Sequence, residues 1–275
     1  MPEGPEIRRA ADQIATALQG QTLTKIQFGL APLKQFESKL RGQTITDIET
    51  RGKAILTHFD NGLTLYSHNQ LYGRWEVLQP GEHSSSKRQL RIRMETPLGT
   101  ALLFSASDIE VLTESERLAH PFLSRLGPDL LSGKVTAPDI AERLLDPRFR
   151  NRQLGSFLTD QSFFAGLGNY LRCEVLFLSG LHPTTKPAKC SQSRIEALAL
   201  NILLLPQYSY ETGGITYLPE ANETMRAGYE SREPTRFWLF RREGLPCRIC
   251  NTPIKKIKQG SQPCYLCNQC QKTFD

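Results

Sequence analysis

Residues 247–270 have the sequence CRICNTPIKKIKQGSQPCYLCNQC. This segment contains two Cys-x-x-Cys pairs, Cys247 with Cys250 and Cys267 with Cys270, which are separated by sixteen residues. Each pair can direct two thiolates at one ion, and the residues between them can form a hairpin that brings the pairs together. The spacing predicts a ribbon that holds one structural zinc ion, since four thiolates leave no coordination position open for chemistry.

The three other cysteines have no such partner. Cys264 lies within the ribbon segment and is expected to pack beside the metal site, whereas Cys173 and Cys190 are interpreted as buried or incidental thiols. The total of seven is odd, and the N-terminal sequence MPEGPEIRRA lacks the apolar segment of a secretory signal. We therefore expect no disulfide framework, no membrane segment and a cytoplasmic location.

Basic charge is concentrated around the ribbon. The chain has a formal net charge of +6, and residues 231–275 hold nine Lys or Arg against three Asp or Glu. The other 230 residues sum to zero, with 25 basic and 25 acidic side chains. Lysine and arginine neutralise phosphates and release their counterions, so this segregation favours a polyanionic partner, although a solvated basic surface would have the same composition.

The N-terminal half of the chain is dominated by short strand-like runs. One amphipathic helix comes first, with Ile7, Ile14 and Leu18 on one face and Gly20 as its stop. Seven runs rich in β-branched or alternating residues follow, at 23–29, 44–50, 54–59, 63–68, 74–78, 89–96 and 100–105. So many closely spaced strands predict a β-sandwich or a barrel over residues 1–125.

Beyond residue 126 the apolar pattern becomes helical. Helices are predicted at 137–146, 153–161, 169–179 and 190–205. The stretch that follows mixes Gly, Ser, Thr, Pro, Glu and Arg without a period, which predicts a long loop at 208–235. The fold class is therefore α+β with several domains: a β domain at 1–125, a helical domain at 135–235 and the ribbon at 236–275.

The N-terminus offers a possible nucleophile. Met1 precedes the small residue Pro2, so removal of Met1 would leave Pro2 as a secondary amine. Such an amine, with an ordinary pKa near ~8, can attack an aldehyde-like carbon and form an iminium, and Glu3 beside it can move a proton. The pattern is weak by itself, because most prolines at this place merely begin a helix.

Several longer strings carry a resemblance to one family. They are MPEGPEI at 1–7, ETRGKAILTHF at 49–59, SHNQLYGRW at 67–75, LLDPRFRNRQ at 144–153 and DQSFFAGLGNYLRCEVLF at 160–177, followed by the terminal cysteine pairs. Together and in this order they resemble the formamidopyrimidine-DNA glycosylase/Nei family over essentially the full chain, and the Nei branch in particular. The resemblance implies a β-sandwich with an N-terminal helix, a helix–two-turns–helix domain and a zinc finger.

The resemblance also implies the chemistry, that of a base-excision DNA glycosylase and abasic-site lyase. Pro2 would attack C1′ of the damaged nucleotide and displace the base, with Glu3 as general acid and base. Lys53 would stabilise negative charge as the base and phosphates leave, and Glu6 would support the site. An iminium acidifies the C2′ hydrogen, so β-elimination and then δ-elimination would leave a gap with phosphate at both ends.

DNA contacts follow from the same resemblance. Gln70, Leu71 and Tyr72 match the wedge that fills the place of an extruded base. Asn169 matches the phosphate-binding residue after the glycine turn of the helix–two-turns–helix element. Gln262 stands before a proline where the family has an arginine that grips the phosphates. Glutamine lacks the charge and the bidentate fork, so we expect a weaker grip and poorer base excision.

Two further departures leave the preferred lesion open. Cys264 stands where the family usually has an aromatic residue, and the loop between Gly213 and Pro234 looks longer than usual. We expect oxidised pyrimidines as substrates, with oxidised purines as the first alternative. A damaged-DNA-binding protein with weakened catalysis is the second, favoured only by Gln262. The expected partner is double-stranded DNA with a damaged base or abasic site, bound by a monomer in a bacterial nucleoid.

Overall fold

The computed structural model describes residues 2–217 and 233–274. The chain forms two compact units, Met1–Leu126 and Gly127–Asp275. The predicted division into three domains, with separate helical and ribbon domains after residue 126, stays a prediction. Within the described ranges, none of the helices has the length and apolar composition that crossing a membrane requires.

Helix α1 (Gly4–Leu18) opens the first unit. Pro5 suits its first turn because the missing N–H would have no partner there. The buried residues Ile7, Ile14 and Leu18 form its inner face. Gly20 lies two residues past the end with a φ of 75°, which confirms its predicted role as the stop.

Eight strands follow among the described residues of this unit. They are β1 (Lys25–Phe28), β2 (Ile45–Arg51), β3 (Ala54–Phe59), β4 (Thr64–His68), β5 (Arg74–Leu78), β6 (Leu90–Thr96), β7 (Gly99–Phe104) and β8 (Asp108–Leu112). Two short helices, α2 (Glu37–Leu40) and α3 (Glu114–Ala119), lie between and after them. The sequence predicted only seven strands and missed β8, which runs on towards α3 without a glycine or proline turn.

The strands form two antiparallel four-stranded sheets. Their orders are β1-β6-β7-β5 and β2-β3-β4-β8. Ile26 and Ile92 of the first sheet and Ile45 and Ile55 of the second belong to one buried cluster, which also contains the inner face of α1. The predicted β-sandwich with an N-terminal helix is therefore confirmed.

The second unit is built from helices and one hairpin. The helices are α4 (Ala137–Leu145), α5 (Leu154–Phe157), α6 (Asn169–Leu178) and α7 (Gln192–Glu211). The hairpin consists of β9 (Lys255–Gln259) and β10 (Gln262–Leu266), joined by Gly260 and Ser261, with Gly260 at a φ of 63°. Its strands carry the residues between the two cysteine pairs, as the spacing predicts.

Two predicted helix boundaries in this unit are wrong. The helix predicted at 153–161 is observed only as α5, which ends at Phe157. A turn follows in which Oδ1 of Asp160 accepts hydrogen bonds from the backbone N and hydroxyl of Ser162. Helix α7 continues through Pro206 to Glu211, so the first residues of the loop predicted at 208–235 are helical. The central part of that loop, residues 218–232, lies outside the described residues.

Glu174 is a buried carboxylate on α6 that holds the segment leading into the hairpin. Its Oε1 accepts hydrogen bonds from the backbone N of Leu239 at 3.0 Å and of Phe240 at 2.9 Å. Its Oε2 accepts from the backbone N of Trp238 at 2.7 Å and from the Thr216 hydroxyl at 2.5 Å. Burial raises the pKa of the Glu174 carboxyl, and these hydrogen bonds oppose the rise. The contacts fix this segment against α6.

Candidate catalytic and DNA-binding residues

The N-terminal residues are held by the first turn of α1. Glu3 caps the helix and is only 2 % exposed, and its backbone N donates a hydrogen bond to Oε2 of Glu6 at 2.9 Å. Its carbonyl oxygen accepts the first helical hydrogen bond, from Ile7 at 3.0 Å. Pro2 precedes this cap and is half-buried. The capping contacts therefore fix the backbone that carries Pro2 at its start.

Lys53 lies in a two-residue turn between β2 and β3. Arg51 pairs with Ala54 across the turn, and Gly52 occupies a left-handed conformation with a φ of 63°. Burial lowers the pKa of Lys53, while the negative charges of Glu3 and Glu6 partly oppose this shift. The fold thus brings Lys53 into the electrostatic field of both carboxylates, within one unit of the chain.

His68 was given no role by sequence reasoning, yet it connects this cluster to the predicted wedge. Its Nδ1 accepts a hydrogen bond from the backbone N of Gln70 at 3.0 Å. Burial lowers the pKa of His68, Asp108 opposes this, and the nearby charge of Lys53 lowers it further. A neutral imidazole is what an acceptor at Nδ1 requires. The motif string contained His68, but only the folded chain identifies its partner.

The predicted wedge lies in a tight turn between β4 and β5. Gln70 has a φ of 50°, and its Oε1 accepts a hydrogen bond from the Ser107 hydroxyl at 3.0 Å. The turn closes where the N of Gly73 donates to the carbonyl of Asn69 at 2.7 Å. A Cβ on Gly73 would lie 2.5 Å from that carbonyl oxygen, so only glycine fits there.

The side chains at the tip of this turn point into solvent. Leu71 is 55 % exposed and Tyr72 is 72 % exposed, values that are high for large apolar and aromatic residues in a folded protein. The backbone beneath them is fixed, because Nη1 of Arg88 donates to the carbonyl of Tyr72 at 2.8 Å. A rigid turn with an exposed leucine and tyrosine can insert into a base stack.

In the second unit, a glycine turn leads into α6. The side chain of Gln161 spans it, with Nε2 donating to the carbonyl of Leu167 at 2.7 Å and Oε1 accepting from the N of Gly166 at 3.1 Å. Gly166 has a φ of 98°, which L side chains rarely adopt. Gly168 caps the helix, so Asn169 is the first residue of α6 and lies where unsatisfied backbone N–H groups favour an anion.

The four paired cysteines converge at the base of the hairpin. The Sγ atoms of Cys247, Cys250, Cys267 and Cys270 all lie within 4.8 Å of one another. Sγ atoms of Cys247 and Cys270 are 3.8 Å apart, and those of Cys250 and Cys267 are 3.4 Å apart. Four ligands at about 2.3 Å from a tetrahedral zinc ion would be separated by about 3.8 Å. The cluster can therefore hold a metal ion.

Cys264 lies beside this cluster and is fully buried, as expected. Its Sγ lies 3.8 Å from Sγ of Cys173, which is also fully buried on α6. The prediction that Cys173 is a buried thiol is correct, but its contact with Cys264 was not anticipated. These two thiols belong to the apolar packing between α6 and β10.

Gln262 begins β10, directly after the turn of the hairpin. Its side chain is half-buried, and its Oε1 is buried without a hydrogen-bond partner within the described ranges. Lys255, Lys256 and Lys258 of β9 are exposed, and Nζ of Lys256 lies 3.3 Å from a carboxylate oxygen of Glu243. The hairpin thus offers an amide at 262 and a row of lysines on the neighbouring strand.

Comparison with known proteins gives one consistent result. The family model described as Formamidopyrimidine-DNA glycosylase N-terminal domain matches residues 1–107, and that described as Formamidopyrimidine-DNA glycosylase H2TH domain matches residues 126–218. Endonuclease 8 of Salmonella typhimurium is 50 % identical over 99 % of this chain and 100 % of its own length. Endonuclease 8 of an Enterobacter species is 49 % identical with the same coverage.

Solved structures share the fold. Lactococcus lactis Fpg in complex with DNA that contains an abasic site has a TM-score of 0.80 at 21 % identity, over 98 % of this chain and 99 % of that one. MutM in complex with DNA containing carbocyclic 8-oxo-G has a TM-score of 0.80 at 21 % identity, over 98 % of this chain and 100 % of that one. Because this chain is about half identical to each of two bacterial endonuclease 8 proteins over their whole length, it belongs to the formamidopyrimidine-DNA glycosylase/endonuclease 8 family.

Proposed function

We propose that this chain is a bifunctional base-excision enzyme, a DNA glycosylase and abasic-site lyase that uses Pro2 as its nucleophile. The observation that carries the proposal is the cluster of Glu3, Glu6 and Lys53 beside the capped N-terminus. Capping of α1 explains the positions of Glu3 and Glu6, but it does not require a desolvated lysine in the field of both carboxylates beside Pro2. The family membership supports the same reaction.

In the proposed reaction, the nitrogen of Pro2 attacks C1′ of the damaged nucleotide. The bond from C1′ to the base breaks, and the base leaves with the bonding electrons and takes up a proton, with Glu3 in the role of general acid. The C1′–O4′ bond then opens, so that Pro2 forms an iminium with C1′ and O4′ takes up a proton. Loss of the C2′ proton, which the iminium acidifies, expels the phosphate from C3′, and a second elimination expels the phosphate from C5′. Water finally hydrolyses the iminium and releases Pro2. Lys53 stabilises the negative charge that develops in these steps.

We propose that the metal held by the cysteine cluster is one structural zinc ion. Four thiolates at the observed separations suit a tetrahedral ion of this kind, and the chemistry it supplies is confined to holding the ribbon together. Cys247 and Cys250 would hold it from one side, and Cys267 and Cys270 from the other. The hairpin then presents Gln262 and the neighbouring lysines to DNA phosphates.

For the substrate, we propose oxidised pyrimidines in double-stranded DNA. The 50 % identity to an endonuclease 8 protein supports this choice. Competition between a thymine glycol duplex and an 8-oxoguanine duplex tests this choice. We expect faster excision of thymine glycol, and the reverse order would assign the enzyme to oxidised purines. We further propose that it acts as a monomer of three domains in the cytoplasm, on nucleoid DNA.

Leu71 provides a direct test of the wedge. Replacement of Leu71 by alanine should lower kcat/KM for base excision about tenfold or more, because extrusion of a base costs a few kcal/mol that an inserted side chain repays. The free energy of unfolding should change by less than about 0.5 kcal/mol, since the side chain is exposed. Single-turnover excision and thermal unfolding measure the two quantities.

The control for this test is Leu98→Ala. Leu98 is 51 % exposed and lies in the turn between β6 and β7 of the same unit, so its removal deletes an equivalent apolar surface elsewhere. We expect wild-type excision from Leu98→Ala. Equal losses in the two variants would contradict a wedge at Leu71.

The second candidate function is damaged-DNA binding with weakened catalysis, and Gln262 is the observation that favours it. If the missing charge limits the grip on DNA, Gln262→Arg should raise excision at moderate salt. It should also steepen the dependence of the binding constant on salt by the amount that about one additional phosphate contact gives. Ser261→Arg adds the same charge at the neighbouring exposed position and serves as the control. An equal gain in both variants, or none in Gln262→Arg, would contradict a specific role for position 262.

A further inference from the structure

Cys173 and Cys264 form a pair of buried thiols in the second unit. Their Sγ atoms lie 3.8 Å apart, and both side chains are 0 % exposed. Neither belongs to the four cysteines that converge on the candidate metal site, and the proposed reaction uses neither. A free cysteine packs like a small apolar side chain, and its reactivity rather than its packing usually decides its role. The meeting of two such thiols therefore calls for a chemical explanation.

The backbone on both sides of the pair is held in place. Before it, Nη2 of Arg172 donates a hydrogen bond to the carbonyl of Pro263 at 3.0 Å. After it, the backbone N of Tyr265 donates to Sγ of Cys173 at 3.4 Å. A disulfide has an S–S length of about 2.05 Å, so the two sulfurs must approach each other by about 1.8 Å. Rotation of the two side chains and a small shift of β10 towards α6 can provide this movement.

Hydrogen peroxide can convert such a pair into a disulfide in a balanced two-electron reaction. One thiol attacks the peroxide, the O–O bond breaks, and a sulfenic acid and one water molecule form. The second thiol attacks the sulfenic sulfur, so that the S–S bond forms and the sulfenic oxygen leaves as a second water molecule. The sulfurs are oxidised, the peroxide is reduced, and both thiol protons end in the two water molecules. In this protein the second sulfur already lies in contact with the first.

The burial of the pair selects a small oxidant. A bulky disulfide such as oxidised glutathione exchanges only with a sulfur that it can reach, whereas hydrogen peroxide is close to water in size and enters through local opening of a fold. Peroxides also give rise to oxidised bases in DNA. The pair would therefore be modified under the conditions that produce the proposed substrates.

The candidate metal site gives a second tie between the hairpin and α6 a purpose. Metal-bound cysteines are thiolates, the form that oxidants attack, and loss of one ligand releases the metal. The hairpin lies between the two cysteine pairs, so it would then lose its main anchor. A bond between Cys173 and Cys264 would close a loop of 91 residues, and a cross-link over so long a loop strongly restricts the unfolded chain.

We propose that Cys173 and Cys264 are a modification site at which hydrogen peroxide forms a disulfide, and that this bond holds the hairpin on α6 when the metal is lost. Cys173 lies one turn after Asn169, and Cys264 lies two residues after Gln262. The bond thus keeps the two proposed phosphate contacts on joined elements. The modification itself does not depend on the proposed reaction, whereas its effect on DNA binding rests on the proposed function.

Peptide mapping tests the modification. Zinc-loaded protein is treated with hydrogen peroxide, unfolded in the presence of iodoacetamide and digested. We expect two peptides joined through Cys173 and Cys264, and an intact mass that is about 2 Da lower because two hydrogens are lost. The Tm should rise by about 5–15 °C, and a reducing agent should reverse both changes. Oxidation confined to the four paired cysteines, without the joined peptides, would overturn the proposal.

Two cysteine variants serve as controls. Cys190 is the remaining thiol of this unit; it is half-buried, and its Sγ lies 3.7 Å from the carbonyl oxygen of Lys186. Cys190→Ala should therefore give the same joined peptides and the same rise in Tm as wild type. Cys264→Ala should give neither, and Cys173→Val, which removes the other half of the pair, should behave alike. A full rise in Tm in either of these two variants would assign the effect to other cysteines and contradict the proposal.

Removal of zinc tests the role of the bond. A chelator is added without oxygen to reduced and to peroxide-treated protein, and dissociation constants are measured for a duplex with a tetrahydrofuran abasic-site analogue. We expect the reduced protein to bind about tenfold or more weakly after chelation, and the oxidised protein to stay within about threefold of its zinc-loaded affinity. Equal losses in both forms would refute the protective role of the disulfide. Absence of binding by the untreated, zinc-loaded protein would instead refute the proposed function.

Discussion

Replacement of Glu3 by glutamine should lower the rate of base excision by about 10²- to 10⁴-fold, the contribution that a positioned proton donor makes to such a step. The side chain is buried beside Pro2, so solvent water cannot readily replace it. Nicking at a preformed abasic site should be affected less, because no base has to be protonated and expelled. Single-turnover assays on thymine glycol and abasic duplexes measure both rates.

Glu6→Gln is the matched control for this prediction. A glutamine oxygen can still accept the hydrogen bond that the backbone N of Glu3 donates, so the helix cap survives while one carboxylate of the cluster is lost. We expect excision within about tenfold of wild type, the scale of one lost charge–charge interaction near the protein surface. Equal losses in Glu3→Gln and Glu6→Gln would show that charge in the cluster, rather than proton transfer at Glu3, limits the reaction.

Loss of the metal should affect the ribbon more than any other part of the chain. Cys250→Ser should abolish binding of the single zinc ion and unfold the hairpin, since structural zinc contributes apparent free energies of about 10–16 kcal/mol in isolated zinc-finger peptides. DNA affinity should fall with it, because the hairpin carries Gln262 and three lysines. Metal analysis, circular dichroism and binding to an abasic-site duplex measure these outcomes.

Cys264→Ala is the control within the same hairpin. Cys264 is fully buried beside the cluster but contacts Cys173 rather than the four converging thiols. We expect one zinc ion per chain in Cys264→Ala, with a loss of stability typical of a small buried side chain. A full zinc complement in Cys250→Ser, or none in Cys264→Ala, would contradict the assignment of the ligands.

Local patterns were sufficient for much of the fold. The Cys-x-x-Cys spacing predicted the ribbon, and the runs of β-branched or alternating residues predicted seven of the eight strands. Alternation reflects burial on one face in β1 and β6, whereas nearly every residue of β3, β4 and β7 is buried. The errors lie at helix ends. The helix predicted at 153–161 stops at Phe157, ahead of a turn in which Asp160 accepts hydrogen bonds from Ser162. Tertiary packing of Leu205, Pro206 and Ser209 carries α7 on to Glu211.

The supporting residues of the sites were beyond sequence reasoning for a related reason. Nη2 of Arg172 donates a hydrogen bond to the carbonyl of Pro263, 91 positions further along the chain. The Ser107 hydroxyl donates to Oε1 of Gln70 across 37 positions. His68 differs, because its partner Gln70 is only two residues away. Nothing in its local sequence, however, shows that the imidazole is half-buried with Nδ1 as a hydrogen-bond acceptor. Residues with chemistry of their own, such as Pro2 and the paired cysteines, could be selected from the sequence, whereas those that orient them could not.

The central claim is that Pro2 forms a covalent intermediate with damaged DNA, and borohydride trapping tests it most directly. Protein with confirmed removal of Met1 is incubated with a thymine glycol duplex and borohydride, which reduces an iminium to a stable amine. We predict a covalent protein–DNA adduct that maps to the N-terminal peptide and is absent from a form with one extra residue before Pro2. No adduct, or an adduct that maps to Lys53, would contradict the account.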